Sequence, residues 1–393
     1  MIKESAMILD ALKSSFEAKS KVQNDAFTLL LEIGLPHKRS EAYKYTPIVS
    51  ILEKNIDWNR SAFTSFDKSK LYRSEGSHVV TIDGMLAEEY SVILDGHSIK
   101  QNDVSEGKHD PFSLMNTALS RQEISIESTS SENPIFLYHF TNGFSNPRTK
   151  VHVKDGDQIS IVEKIISQDK SFTNSYIEFN VGKNAVANHT RLQNYSSETY
   201  THESTFAHVA RDGKFINNTF SFEGAMVRNS MTVNIEDENC EAYMYGLFLL
   251  DKKSHVDNNT SVDHQKPNTY SNELYKGILD EKSTGVFNGK IYVRQEAQKT
   301  NAFQSNNNIL LSDDATLNTK PQLEIWADDV KCSHGCTSGQ LDEDAIFYLR
   351  ARGIDEKSAK GMIINAFAGE TMEQLHIDEV KEEVQSLIDQ KLS

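Results

Sequence analysis

The sequence predicts a mainly β protein, a parallel β-solenoid core with α-helical regions at its N- and C-terminal ends. Three observations carry this reading. Apolar residues recur at helical spacing at both ends of the chain, and that period vanishes between about residues 136 and 327. Within that span short β-like runs follow one another: QISIVEKII, YIEFNV, FINNTFSF, MVRNSMTVNI, EAYMYGLFLL, STGVFNGKIYV and NAFQSNNNILLS, bounded by Gly, Asn, Asp and Lys. Asn and Thr are frequent at strand positions and Pro is scarce. Stacked coils satisfy such side chains in ladders, which favours a solenoid over a sandwich or a propeller, although no strict repeat length emerges.

Residues 1–60 read as an N-terminal helical region. Ile8, Leu9, Leu12 and Phe16 keep helical spacing, as do Phe27, Leu30, Leu31 and Ile33. Gly34 suits a C′ position and Pro36 a stop. The β-helix core is assigned to 61–335. In its first part, 61–135, HVVTIDG and SVILDGHSI predict short strands, and the Ser-rich EISIESTSSENP predicts a loop.

The C-terminal helical domain is assigned to 336–393. Asp342 predicts an N-cap, Glu343 and Asp344 lie in the first turn, Arg350 and Arg352 in the last, and Gly353 at C′. Asp355 predicts the cap of a second helix bearing Met362, Ile363, Ala366 and Phe367. Thr371 and Gln374 have the spacing of a capping box. A tail helix presents Val380, Val384, Leu387 and Ile388.

Charge and composition exclude several classes. With 41 basic and 57 acidic residues the net charge is −16, so phosphate backbones and anionic membrane surfaces repel the chain. No apolar run approaches the roughly 18–20 residues that span a bilayer. The N-terminus, broken by charge, does not read as a signal peptide, and Asn-x-Ser/Thr triplets such as Asn188-His189-Thr190 are read as chance. The odd set Cys240, Cys332 and Cys336 suits a reducing cytoplasm rather than a disulfide framework. No Walker-type phosphate loop occurs, so any ATP use falls to a partner, and neither a G-x-S-x-G elbow nor an H-E-x-x-H pair is present.

The densest chemistry lies in Asp328–Ile354, where Cys332, His334 and Cys336 fall within five residues and lead into the capped helix. On a strand Cys332 and His334 share a face about 6.7 Å apart. That is wide for one metal unless Gly335 bends the backbone, but each side chain can serve as one ligand across an interface. Thiolate and imidazole suit iron–sulfur chemistry. The bland alternative makes Cys332 a small buried hydrophobe and His334 a hydrogen-bonded core residue; Cys336 and Cys240 are left with the bland reading.

His255, Asp257 and His264 have the composition of a two-His-one-carboxylate set. The favoured reading is alternating outward residues of a solenoid turn. The helices after residue 342 suit either a cover over the solenoid's open edge or a docking surface. In the second case Phe347 and Tyr348 are apolar anchors, and Arg350 and Arg352 sit at the rim.

A family resemblance runs through these residues. It is carried by His255-x-Asp257, His264, Pro267, Lys276-Gly277, Phe287-x-Gly289-x-Ile291, Ala297, Ala302-x-Gln304, Asn308 and Leu310-Leu311. It continues through Asn318-Thr319-Lys320-Pro321, Leu323-Glu324-Ile325, Asp329-Val330-Lys331-Cys332-Ser333-His334-Gly335 and Phe347-Tyr348-Leu349-Arg350-x-Arg352-Gly353-Ile354. An upstream element adds Lys38 or Arg39, Glu41, Lys44, Tyr45 and Thr46. Together they resemble the SufB/SufD family of iron–sulfur cluster assembly scaffolds. The short chain, the lack of cysteines before Cys240 and the Cys-Ser-His-Gly wording are similar to its SufD branch. Cys336 departs from the family pattern, where a small residue is expected.

The resemblance implies a right-handed parallel β-helix and a non-catalytic scaffold role. It implies a SufB-like paralogue as partner, with Cys332 and His334 at the interface where a transient cluster forms, as its transient metal ligands. It also implies a SufC-like ABC-type ATPase docked on the C-terminal helices at Phe347, Tyr348, Arg350 and Arg352. ATP enters only through that partner; a reduced flavin in the complex and a homodimer of the isolated chain are further implied expectations. The alternatives are a SufB-like primary scaffold, disfavoured by the missing N-terminal cysteines, and a β-helix carbohydrate-active enzyme, which rests on fold analogy alone.

Overall fold

Two ten-stranded sheets run the length of the protein and enclose one interior. The computed structural model describes residues 6–37, 39–58, 69, 71, 76–94, 97–128, 133–167 and 170–392. Lys38 and the Ser-rich stretch 129–132 lie outside the described residues.

Helices α1 (Ala6–Ser15), α2 (Lys21–Ile33) and α3 (Ile48–Asn55) open the chain. An irregular first part follows, with β1 (Ser77–Ile82), β2 (Met85–Leu86), β3 (His97–Asn102), α4 (Pro111–Leu119), β4 (Glu123–Ser128), β5 (Ile135–Thr141), β6 (Phe144–Ser145) and β7 (Arg148–Val153). Regular coils then begin, each giving one strand to each sheet. They pair β8 (Gln158–Ser167) with β9 (Ser171–Val181), β10 (Val186–Asn194) with β11 (Thr199–Val209), and β12 (Lys214–Glu223) with β13 (Met226–Ile235). They continue with β14 (Glu241–Leu250) and β15 (His255–His264), β16 (Tyr270–Leu279) and β17 (Thr284–Val293), then β18 (Asn301–Leu310) and β19 (Thr316–Ile325). Strand β20 (Lys331–Gly339) ends the solenoid, and α5 (Glu343–Arg350), α6 (Glu356–Gly369) and α7 (Asp378–Leu392) follow.

Each coil strand pairs in parallel with the equivalent strand of the next coil. The register partners Gln158, Val186, Lys214, Glu241, Tyr270, Asn301 and Lys331 succeed one another at 28, 28, 27, 29, 31 and 30 residues. Turn chemistry keeps the coils in step despite this drift. Asn184, Asp212, Asn239, Asn268 and Lys299, each two residues before a strand of the first sheet, all have positive φ. Asn and Asp tolerate that left-handed conformation because their short polar side chains bond locally.

Alternate strand residues point inward. Ile159, Ala187, Phe215 and Ala242 stack in one such column, and burial of each large apolar side chain contributes about 1.5–3 kcal/mol. The interior also holds charge. Arg191 donates to Glu163 at 2.6 Å and lies 3.0 Å from Glu203, His189 meets Glu163 at 3.0 Å, and all four are buried. Burial opposes ionisation of Glu163, but Arg191 and the hydrogen bonds of His139 and His189 outweigh it and hold the carboxyl well below its usual range.

The helical regions cover the outer faces. Leu30, Ile48, Leu52 and Phe112 pack with Phe144, Phe172, Tyr200 and Met226 of the second sheet. Ile364, Ala368, Val380, Val384 and Ile388 pack with Leu247, Leu249 and Ile278 of the first. Lys164–Glu383 at 2.8 Å and Lys391–Asp251 at 2.6 Å tie α7 to the solenoid's flank.

Several expectations are corrected here. Glu123–Ser128, expected to be loop, is strand β4, and Ile124 and Ile126 are core residues. Ile33 is largely exposed, because α2 buries Ala26, Phe27 and Leu30 instead. Thr371 does not cap a helix: it is buried, and its hydroxyl donates to the Ala368 carbonyl at the end of α6. The caps at Asp342 and Asp355 form as expected, accepting from the amides of Asp344, Ala345 and Ser358.

Candidate functional site: the terminal coil

Strand β20 pairs only with β18, and β19 only with β17, so among the described residues each sheet ends on an unpaired strand edge. The register fixes which side chains face inward. Cys332 pairs with Ala302, His334 with Gln304 and Cys336 with Asn306. Ala302, Gln304 and Asn306 are buried interior residues, so the two thiols and the imidazole continue the same inward-facing columns. Among the described residues no further coil covers them. Strand β20 is exposed along nearly its whole length; only Cys332 is half-buried, packed on the core.

Burial pushes the Cys332 thiol up from its ordinary value, opposed by a hydrogen bond with the Ala302 backbone. His334 is exposed, which goes against the bland alternative of a hydrogen-bonded core residue, and Cys336, left with the bland reading, is exposed rather than buried. Cys240 is buried, its thiol donating to the Ala210 carbonyl at 3.1 Å and that of Asp237 at 3.2 Å. No three His, Cys, Asp or Glu side chains among the described residues converge as a metal cage. On this chain the terminal coil therefore presents an open donor row.

His255, Asp257 and His264 do not converge. His264 points into the solenoid, where its ring bonds Thr269 at 2.8 Å and Ser271 at 2.9 Å. That corrects the outward placement expected for it. His255 and Asp257 do face outward, but the N-terminal segment covers them, and both bond Thr46, at 2.8 and 2.5 Å.

The C-terminal helices lie along the flank and leave the open end uncovered, so they are not the cover that the strand edges invited. Helix α5 buries Ile346 and exposes Phe347 (73%) and Tyr348 (56%). Arg352 stacks 3.3 Å from the centre of the Tyr348 ring, and Arg350 pairs with Glu356 at 3.4 Å. Met362 of α6 is also exposed, at 51%. No helix among the described residues is long and apolar enough to cross a membrane.

Fold and site together define a β-solenoid protein with a thiol–imidazole row at an open end and a helical flank. The family model for the SufBD core domain of the SUF system of FeS cluster assembly matches residues 136–367. The chain is 31% identical to the iron–sulfur cluster assembly protein SufD of Escherichia coli, over 98% of this chain and 94% of that protein. It is 30% identical to a SufBD family iron–sulfur cluster assembly protein of Synechocystis, over 95% and 90%. It is 28% identical to the chloroplastic protein ABCI7 of Arabidopsis thaliana, over 96% and 87%. The chain belongs to the SufBD family of iron–sulfur cluster assembly proteins.

Proposed function

We propose that the chain acts as a SufD-like, non-catalytic scaffold subunit that pairs with a SufB-like paralogue through its terminal coil. The carrying observation is that β19 and β20 offer unpaired edges while Cys332 and His334 occupy the inward face of the same coil. Edge strands recruit further strands because their free N–H and C=O groups need partners. A partner strand added there would close the solenoid end and bring its own donors to Cys332 and His334. The transient iron–sulfur cluster is cargo of that interface, with one thiolate and one imidazole from this side.

The exposed Phe347 and Tyr348, rimmed by Arg350 and Arg352, support docking of a SufC-like ATPase, the only point at which ATP enters. Aromatic anchors with Arg neighbours have the composition of an interface centre. The reading extends to a cytoplasmic complex able to accept reduced flavin, and to homodimerisation of the isolated chain through the same edges.

Hydrogen exchange tests the pairing. Mixing with the SufB-like paralogue should protect amides within 316–325 and 331–339; unchanged exchange there would overturn the interface.

A further inference from the structure

A second concave site lies between the N-terminal segment and the outer face of the second sheet, reaching the edge strand β19 at Lys320. Residues 41–46 are pinned there by contacts distant in sequence. The Arg228 guanidinium stacks 4.2 Å from the Tyr43 ring, Thr46 bonds Asp257, and Glu41 forms an ion pair with Lys320. Arg228 and Asp257 form a buried ion pair of their own, 1% exposed each. Pinning at Tyr43 and Thr46 leaves a cleft of about 490 Å³ between the segment and the sheet. Its lining includes Arg39, Lys44, Lys320, Glu41, Tyr45 and Asp257.

Two features point to a ligand. First, the lining brings three cations, Arg39, Lys44 and Lys320, against two carboxylates, Glu41 paired with Lys320 and Asp257 paired with Arg228, a local positive excess on a chain of net charge −16. Guanidinium and ammonium groups brought in from separate elements suit a dianion. Second, Asp257, whose charge Arg228 already meets, has a carboxyl oxygen, Oδ1, with no hydrogen-bond partner among the described residues. A buried acceptor without a partner costs free energy, and a hydroxyl donor would satisfy it. The cleft volume falls in the range of small-molecule sites.

We infer that this cleft binds a small organic phosphate bearing hydroxyl groups. The phosphate lies on Arg39, Lys44 and Lys320, and a hydroxyl donates to Asp257. Lys320 belongs to the edge strand β19, and the titration below uses the chain without a partner, so its outcome does not depend on the terminal-coil pairing.

The test is calorimetric titration of the full chain with ribose 5-phosphate as probe, with inorganic phosphate and ribose as controls. Saturable binding of ribose 5-phosphate is expected, at least about tenfold tighter than either control. The Arg39→Gln/Lys44→Gln double variant, which alters only surface side chains, should weaken it at least about tenfold with an unchanged circular dichroism spectrum. No saturable heat up to about 10 mM, equal affinity for inorganic phosphate, or full affinity in the double variant would each overturn the proposal.

Discussion

His334 stands in register with Gln304 of the preceding coil and faces the same interior, yet Gln304 is 1% exposed and His334 lies open to solvent. The difference comes from the end of the solenoid: Gln304 is roofed by the terminal coil, and none of the described residues roofs His334. An interior position without an interior is what a partner strand would complete.

Substitution at this row should therefore separate stability from assembly. His334→Ala should change the unfolding free energy by no more than about 0.5 kcal/mol, as expected at an exposed site. Cys332→Ala, half-buried, should cost about 1 kcal/mol or less. In the complex both should lower iron and sulfide content. Wild-type iron loading in the double variant would refute the ligand role.

The ATPase surface is best tested by point substitution. Truncation near residue 340 would strip Ile364, Val380 and Val384 from Leu247, Leu249 and Ile278, and so would confound docking with unfolding. Phe347→Ser with Tyr348→Ser should leave the melting temperature within a few degrees of wild type while lowering affinity for the SufC-like ATPase at least about tenfold. Retained affinity in a pull-down would remove this docking surface.

The clasp of the N-terminal segment has a sharper energetic signature. Asp257→Ala leaves Arg228 buried without its counter-charge and should destabilise the protein by about 3–5 kcal/mol in urea unfolding. A loss below about 1 kcal/mol would show that the pair is not buried in solution.

Glu273 predicts a pH dependence. Burial lifts its carboxyl to about 7, opposed by hydrogen bonds with Thr260 and with Gln304, whose Nε2 donates at 2.6 Å. A folded value above the unfolded one gives stability that is complete below the unfolded value of about 4.5 and lost as pH rises through about 7. Glu273→Gln should escape that loss. Its stability relative to wild type should rise by on the order of 2 kcal/mol between about pH 5 and pH 8. A gap that does not vary with pH would contradict the assignment.

Much of this was legible in the sequence, for identifiable reasons. Short strands with Asn and Thr marked the solenoid, and Asp342, Asp355 and Gly34 marked helix ends through local chemistry that depends on few neighbours. The repeat was hidden because coil length drifts between 27 and 31 residues while the left-handed turn residues Asn184, Asp212, Asn239, Asn268 and Lys299 recur in place before the first-sheet strands. Helix α4 escaped notice because every residue from Phe112 to Ala118 is buried, which leaves no polar face to set a 3.6-residue period. The Asp110 cap and Pro111 were its only local signals. The shared face of Cys332 and His334 followed from strand parity. The exposure of Cys336 did not, because it depends on where the coils stop. Nor did the Thr46–Asp257 contact, which joins residues 211 apart.

The most direct test is the mass of the particle that co-purifies when this chain is co-expressed with the SufB-like and SufC-like proteins of its own source. The account predicts a stable assembly of this chain, one longer paralogue and two ATPase copies, lost when β20 is deleted. A lone monomer or homodimer under the same conditions would contradict it.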